Sequence, residues 1–145
     1  MADLDRDRVL RYEVEIKEAR NLLATITSED VEETVRDNTK VGSLKYTLIV
    51  PAEAICNLCR HILAKKAFFA VEEYVESILK MQEKGFLSDE VANRLIPLMK
   101  LRHQLIHGYW KTDNKRLLLE TRDSLDTIDA FLSEIQRIIS TSESF

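Results

Sequence analysis

The sequence predicts an all-α protein, an up-and-down four-helix bundle with an extra short helix. Three observations support this fold class. The chain has 145 residues, which is enough for one domain with a sizeable core. It contains only 3 Gly and 2 Pro, too few for a turn-rich β architecture. Apolar residues recur at three- and four-residue steps along most of the chain. We therefore expect residues 1–145 to form a single helical domain with a frayed tail at 140–145.

The first three helices are predicted over residues 4–26, 28–36 and 38–66. In the first, apolar side chains share one face, and Glu13 faces Lys17 one turn away. The second begins at Ser28-Glu29-Asp30, where an N-cap is followed by acids that favour a helix start. The third contains Pro51, which removes a backbone hydrogen bond and is expected to kink the helix near Thr47.

The last three helices are predicted over residues 71–83, 88–108 and 114–140. Gly85 ends the first of them, because glycine readily adopts the left-handed conformation that closes a helix. Ser88 caps the next helix, which contains Pro97 and breaks at Gly108. Thr112-Asp113-Asn114 starts the last helix, whose apolar residues lie on one side.

Charge and hydropathy exclude some functional classes. The net charge of −4 at pH 7 argues against nonspecific binding to nucleic acid. No apolar run approaches the roughly 18–20 residues that a membrane span needs. The N-terminus is too charged for a secretory signal, so we expect a cytoplasmic protein without membrane contact.

The charge is unevenly distributed along the chain. Residues 94–116 hold six basic residues and one acid, so this segment carries +5 and the remainder carries −9. Taken alone, such a segment is most simply interpreted as a solvated charged surface.

The two cysteines, Cys56 and Cys59, lie three residues apart in an apolar helical stretch. A zinc site would need two further ligands, and His61 is the only candidate nearby. Because unpaired cysteine usually behaves as a small buried hydrophobe, we predict that both are core residues.

The segment from Arg102 to Trp110 combines an arginine, two histidines and a tyrosine within about two helical turns. On a helical wheel Arg102 lies in the middle of an apolar stripe, with Tyr109 nearly beneath it. His103 and His107 fall at about 100° and 140° from the arginine. A buried arginine is costly, so we expect a partner, a cleft or an interface to receive Arg102.

Two kinds of chemistry fit these residues. His103 and His107, four residues apart, have the spacing of helical zinc ligands, but no third ligand is evident and we predict no metal site. Metal-free RNA cleavage fits better. It needs a base for the attacking 2′-hydroxyl and a cation for the charge on the phosphate, roles that suit histidine and Arg102. Tyr109 or Trp110 would stack on a base.

The string Arg102-x4-His107-x-Tyr109 resembles the motif of the HEPN ribonucleases. More narrowly, it is similar to the HepT toxins of HepT–MntA toxin–antitoxin pairs. The likeness extends to Lys84-Gly85-Phe86-Leu87-Ser88 and to Leu95 and Met99, and covers roughly residues 70–135. Two features depart from the family pattern. His103 stands where the family usually has Asn, and Pro97 precedes the motif.

The resemblance implies a HEPN-like bundle that is a metal-independent endoribonuclease toxin without a cofactor. Arg102 would bind the phosphate and His107 would be the acid and base. His103, which departs from the family pattern, would be an accessory residue that either replaces the hydrogen bonds of the usual Asn or adds a second proton carrier. The family's active sites meet at a homodimer interface. Its antitoxin, an MNT-domain nucleotidyltransferase (MntA-like), would neutralise the toxin by adding AMP to Tyr109.

Two alternatives remain open at the level of sequence. In the first, the bundle is a non-catalytic partner that presents Tyr109 to a nucleotidyltransferase. In the second, it is a helical interaction domain in which the motif is accidental. RNA cleavage distinguishes the toxin from both alternatives.

Overall fold

The computed structural model describes residues 3–107 and 113–143, apart from the side chains of residues 142 and 143. These residues contain six helices and no strand, which confirms the predicted all-α fold. In chain order the helices are α1 (Arg6–Thr27), α2 (Val31–Arg36), α3 (Asn38–Ala67), α4 (Tyr74–Glu83), α5 (Asp89–Ile106) and α6 (Asn114–Glu143). Four are long, and α2 and α4 have 6 and 10 residues.

Helix α3 is the centre of the bundle and packs against every other helix. Its side chains Leu48, Ile55 and Ile62 are fully buried. Burial of each such side chain contributes about 1.5–3 kcal/mol. From the outer helices, Ile16 of α1 and Phe131 of α6 complete the same core. This core fixes the face of α3 that points toward α4 and α5.

By length and hydropathy, α3 is also the one described helix that could cross a membrane. About 67% of its most apolar window is buried inside the protein. The central helix of a packed bundle meets the same criteria, and the burial of α3 favours that explanation.

The starts of the two short helices differ from the sequence prediction. Asp30, rather than Ser28, caps α2 by accepting the Glu33 backbone N–H, while Ser28 closes α1. Helix α4 begins at Tyr74, three residues later than predicted. The preceding segment is extended at Glu73, and Val71 is buried in the core, so packing rather than helical hydrogen bonding holds this connection.

Both internal prolines lie inside helices that continue through them, Pro51 in α3 and Pro97 in α5. Helix α5 ends at Ile106, and the predicted break at Gly108 lies outside the described residues. At the other end of the chain, α6 continues to Glu143, through part of the segment predicted to fray.

The start of α5 is fixed by two contacts of Ser88. Its side chain caps the helix by accepting the Val91 backbone N–H at 3.2 Å. Its hydroxyl and its backbone N–H each donate to the Glu134 carboxylate of α6, at 2.7 Å. These bonds attach the first turn of α5 to α6.

We expect the Ser88→Ala substitution to lower the free energy of unfolding by about 1–2 kcal/mol, because it removes both the cap and a charge-assisted hydrogen bond. Urea denaturation followed by circular dichroism measures this change. Ser133→Ala, at an exposed position inside α6 beside Glu134, is the matched control and should have little effect. Equal stability of the two variants would contradict the role of Ser88.

Candidate active site

Arg102 points from α5 toward α3 and α4, and two groups from those helices receive it. Its Nη2 donates to Glu53 Oε1 of α3 at 3.0 Å. Its guanidinium carbon lies 4.2 Å from the centre of the Tyr74 ring at the start of α4. Only 20% of the arginine side chain is exposed. A carboxylate and an aromatic face therefore offset the cost of burying this cation.

The neighbours of Arg102 on the helical wheel show why a partner within the chain is needed. Leu95 and Leu98 are buried in the core of the bundle, so the stripe around Arg102 faces inward. Ile106 is 46% exposed and marks where that stripe reaches the surface. Of the three expected possibilities, the structure shows the partner, which is Glu53 together with Tyr74.

A second arginine contacts the same aromatic ring. The guanidinium carbon of Arg60, on α3, lies 5.0 Å from the centre of the Tyr74 ring. Burial raises the pKa of Tyr74 despite the two nearby arginines, so its phenol stays neutral at physiological pH. We call Glu53, Arg60, Tyr74 and Arg102 the arginine–tyrosine cluster.

The cluster leaves hydrogen-bonding capacity unused. The Nε atoms of Arg60 and Arg102 are both buried, and neither has a hydrogen-bond partner among the described residues. A buried donor without a partner costs about 1–3 kcal/mol, and more when it carries charge. The aromatic ring offsets part of this cost electrostatically. Acceptors are therefore scarcer than donors in the cluster.

His103 and His107 lie together on the last turn of α5. Their ring centroids are 4.2 Å apart and the rings are inclined at 47°. Both residues are exposed, and His107 closes the helix by donating its backbone N–H to the His103 carbonyl at 3.1 Å. Within residues 3–107 and 113–143, no hydrogen bond joins either histidine to Arg102.

The end of α5 thus has two chemically different sides. One holds the fixed charge of Arg102 against Glu53 and Tyr74, and the other exposes two imidazoles to solvent. The predicted residues Tyr109 and Trp110 lie outside the described residues.

The positive charge predicted for residues 94–116 is largely offset in space. Each of four basic residues there forms an ion pair with a glutamate, and these pairs are Arg94–Glu90, Arg102–Glu53, Lys115–Glu32 and Arg116–Glu120. All four acids lie outside the segment, which is why a count along the sequence overstates its local charge.

The cysteines occupy core positions, as predicted. Cys56 and Cys59 are fully buried and unpaired, and burial raises the pKa of both thiols. His61 is also buried, and its Nε2 accepts the Asp5 backbone N–H at 3.0 Å. Burial lowers the pKa of His61, so it is a neutral structural acceptor that ties the start of α1 to α3.

Three members of the cluster were not identified from the sequence, namely Glu53, Arg60 and Tyr74. The sequence does contain a signal for two of them. Glu53 and Arg60 are the only Asp, Glu, Lys or Arg residues between positions 46 and 64, the most apolar part of α3. They lie seven positions apart, which places both on nearly the same side of the helix. No comparable pattern marks Tyr74, whose position depends on where α4 begins.

The fold and the sequence of the chain are both similar to those of known proteins. Among solved structures, the chain is similar to the cytosolic protein of unknown function YutE from Bacillus subtilis, with a TM-score of 0.82 and 15% identity. That match covers 97% of this chain and 94% of the other. A second similar structure is described as a toxin–antitoxin with AMP-PNP. Its TM-score is 0.81 at 16% identity, over 89% of this chain and 98% of that one.

At these identities the two structures establish the shared fold. No curated protein matches the sequence. A family model described as "Ribonuclease HepT-like" matches residues 13–135, which include α3 to α5 and the whole arginine–tyrosine cluster. The chain therefore belongs to the HepT-like ribonuclease family.

Proposed function

We propose that this protein is the toxin of a toxin–antitoxin pair, a metal-independent endoribonuclease that cleaves RNA with Arg102 and His107. The observation that carries the proposal is the placement of Arg102. A fixed cation is held in position by Glu53 and Tyr74, directly before one exposed imidazole in the sequence and five positions before the other. Family membership and the toxin–antitoxin structural neighbour support the same class of function.

The proposed reaction is an internal transesterification of RNA. A base removes the proton of a 2′-hydroxyl, whose oxygen then bonds to the adjacent phosphorus. The bond from phosphorus to the 5′-oxygen breaks, and that oxygen takes a proton. The products are a 2′,3′-cyclic phosphate and a free 5′-hydroxyl. Arg102 would stabilise the negative charge that develops on the phosphate oxygens.

His107 would transfer the protons in this reaction, because imidazole exchanges protons near neutral pH. Its exposed ring is open to a nucleotide. The ring of His103, 4.2 Å away, would be a second proton carrier. In this sequence, therefore, a titratable side chain occupies the position where the family usually has Asn.

A homodimer would complete the site. Ile106, between the catalytic residues, is 46% exposed and offers apolar surface on the same turn as His107. Burial of this surface against a second copy would bring two active sites together across a symmetric interface. We further propose that the protein acts in the cytoplasm, where its RNA substrate is found.

Neutralisation would occur by AMP addition to Tyr109 by a nucleotidyltransferase antitoxin (MntA-like). A phosphate attached two residues from His107 would compete with RNA for Arg102 and repel the RNA backbone. The neighbouring toxin–antitoxin structure supports an antitoxin partner, and its AMP-PNP is an analogue of the ATP that would supply AMP.

The His107→Ala substitution tests the catalytic assignment. We expect the wild-type protein to cleave RNA in EDTA and His107→Ala to lose at least about 100-fold in rate, since a general acid–base contributes about 10²–10⁴-fold. Gln104→Ala, an exposed neighbour on α5, is the control. Equal cleavage by wild type and His107→Ala would contradict the assignment.

The Tyr109→Phe substitution tests the regulation. After incubation with ATP and the nucleotidyltransferase, intact mass spectrometry should show AMP units on the wild type and none on Tyr109→Phe. If Tyr109→Phe still gains the mass of AMP, Tyr109 is not the residue that is modified. AMP addition to a wild-type protein without ribonuclease activity would instead support the non-catalytic alternative.

The Glu53→Gln substitution tests how Arg102 is held. The amide keeps the size of the side chain but not its charge, so Arg102 should become less ordered and kcat/KM for RNA should fall roughly tenfold. Glu90→Gln is the matched control, because it breaks the exposed Arg94–Glu90 pair on α5, the helix that carries Arg102. A rise in activity would show that Glu53 obstructs Arg102 rather than positioning it.

A further inference from the structure

Arg60 is the charged residue of the arginine–tyrosine cluster for which the proposed reaction gives no role. Its side chain is half-buried on α3, with the guanidinium carbon 5.0 Å from the Tyr74 ring centre. Arg102 approaches the same ring to 4.2 Å. Since both distances end at one centroid, the two guanidinium carbons lie no more than about 9.2 Å apart although they come from different helices.

Among the residues that the structure describes, no acid forms an ion pair with Arg60. Four other arginines pair with carboxylates, and these pairs are Arg20–Asp129, Arg94–Glu90, Arg102–Glu53 and Arg116–Glu120. Among the described residues, Arg60 has neither an ion pair nor a side-chain hydrogen bond, and its buried Nε has no acceptor. Water hydrates the exposed part of this guanidinium, but the buried Nε lacks an acceptor, so the side chain favours an anionic ligand beside it.

The neutral members of the cluster leave a net positive charge. Glu53 is its single carboxylate, set against two guanidinium groups. Burial raises the pKa of Tyr74 and of nearby Cys56, so both stay protonated near neutral pH and neither balances Arg60. Two planar forks of donors near one ring suit a ligand with several anionic oxygens, and consecutive phosphodiesters of an RNA strand supply them.

We infer that Arg60 binds the RNA phosphodiester next to the one that Arg102 holds for cleavage. This inference rests on the proposed ribonuclease function and extends the substrate site from α5 onto α3. Arg60 is then a binding residue, because its phosphate is not the one that reacts. Its loss should weaken RNA binding and raise KM, with little change in kcat.

The test is the salt dependence of binding to a fluorescent, single-stranded 2′-O-methyl RNA oligonucleotide, which cannot be cleaved because its 2′-oxygens carry no proton. For single strands the logarithm of affinity falls with the logarithm of salt by about 0.7 per phosphate contact. We expect Arg60→Gln to make this slope about 0.7 less steep and to weaken binding about tenfold. Wild-type affinity and slope in Arg60→Gln would overturn the inference.

Arg11→Gln is the matched control, since it removes the same charge from an exposed residue of α1 and should leave the slope unchanged. Thermal unfolding separates binding from packing. If Arg60 only stacks on Tyr74, Arg60→Gln will be less stable but will keep the wild-type slope, which overturns the inference. Should Arg60→Gln not fold, Arg60→Met keeps an unbranched stem against the ring and is expected to show the same loss of slope.

Cleavage of unmodified RNA makes the two proposals separable. Wild-type kcat and KM in Arg60→Gln would overturn the role of Arg60 and leave the ribonuclease intact. A wild-type protein that cleaves no RNA, but binds the oligonucleotide with a slope that Arg60→Gln reduces, would overturn the ribonuclease and support the phosphate site. A raised KM with unchanged kcat and a reduced slope supports both.

Discussion

The guanidinium of Arg102 is the constraint around which this end of the bundle is organised. It extends from the inward-facing side of α5, where Leu95 and Leu98 are buried, and it can never lose its charge. Its burial requires a carboxylate and a surface that tolerates a cation, and Glu53 of α3 and Tyr74 of α4 supply them. The cluster therefore joins three helices, and the late start of α4 is what places Tyr74 against the arginine.

This arrangement separates two requirements of phosphoryl transfer. The positive charge must stay fixed, and packing against Glu53 and Tyr74 limits the motion of Arg102. The proton carriers must reach substrate, and the residues proposed for that role, His103 and His107, are exposed on the last turn. Because no hydrogen bond joins the two groups in the described residues, the proposed reaction depends on RNA to bridge them. Catalytic contacts commonly tighten only when substrate is bound.

Much of the fold follows from local signals in the sequence. Ser88 and Asp113 cap α5 and α6 as their side chains predict, and Gly85 adopts a positive φ of 77° after α4. The start of α4 was not predictable in this way, because burial of Val71 holds the preceding segment extended. That interaction is tertiary, and it leaves no periodicity in the sequence.

The same distinction between local signals and tertiary interactions applies to the candidate site. Arg102 and the two histidines lie within one segment, so their spacing and a family resemblance were sufficient to select them. Glu53 and Arg60 lie more than 40 positions earlier, and only the packing of α3 against α5 relates them to Arg102. The positive charge counted along residues 94–116 was misleading for a related reason, since Glu53 of α3 and Glu32 of α2 pair with basic residues of that segment.

The most direct test of the account is a crystal structure of the protein bound to RNA that has a single 2′-deoxy substitution at the cleavage position. The account predicts a phosphate oxygen about 3 Å from the Arg102 guanidinium, which remains stacked on Tyr74, with the sugar beside His107. RNA bound on another face of the bundle, with Arg102 in contact only with Glu53 and Tyr74, would contradict it.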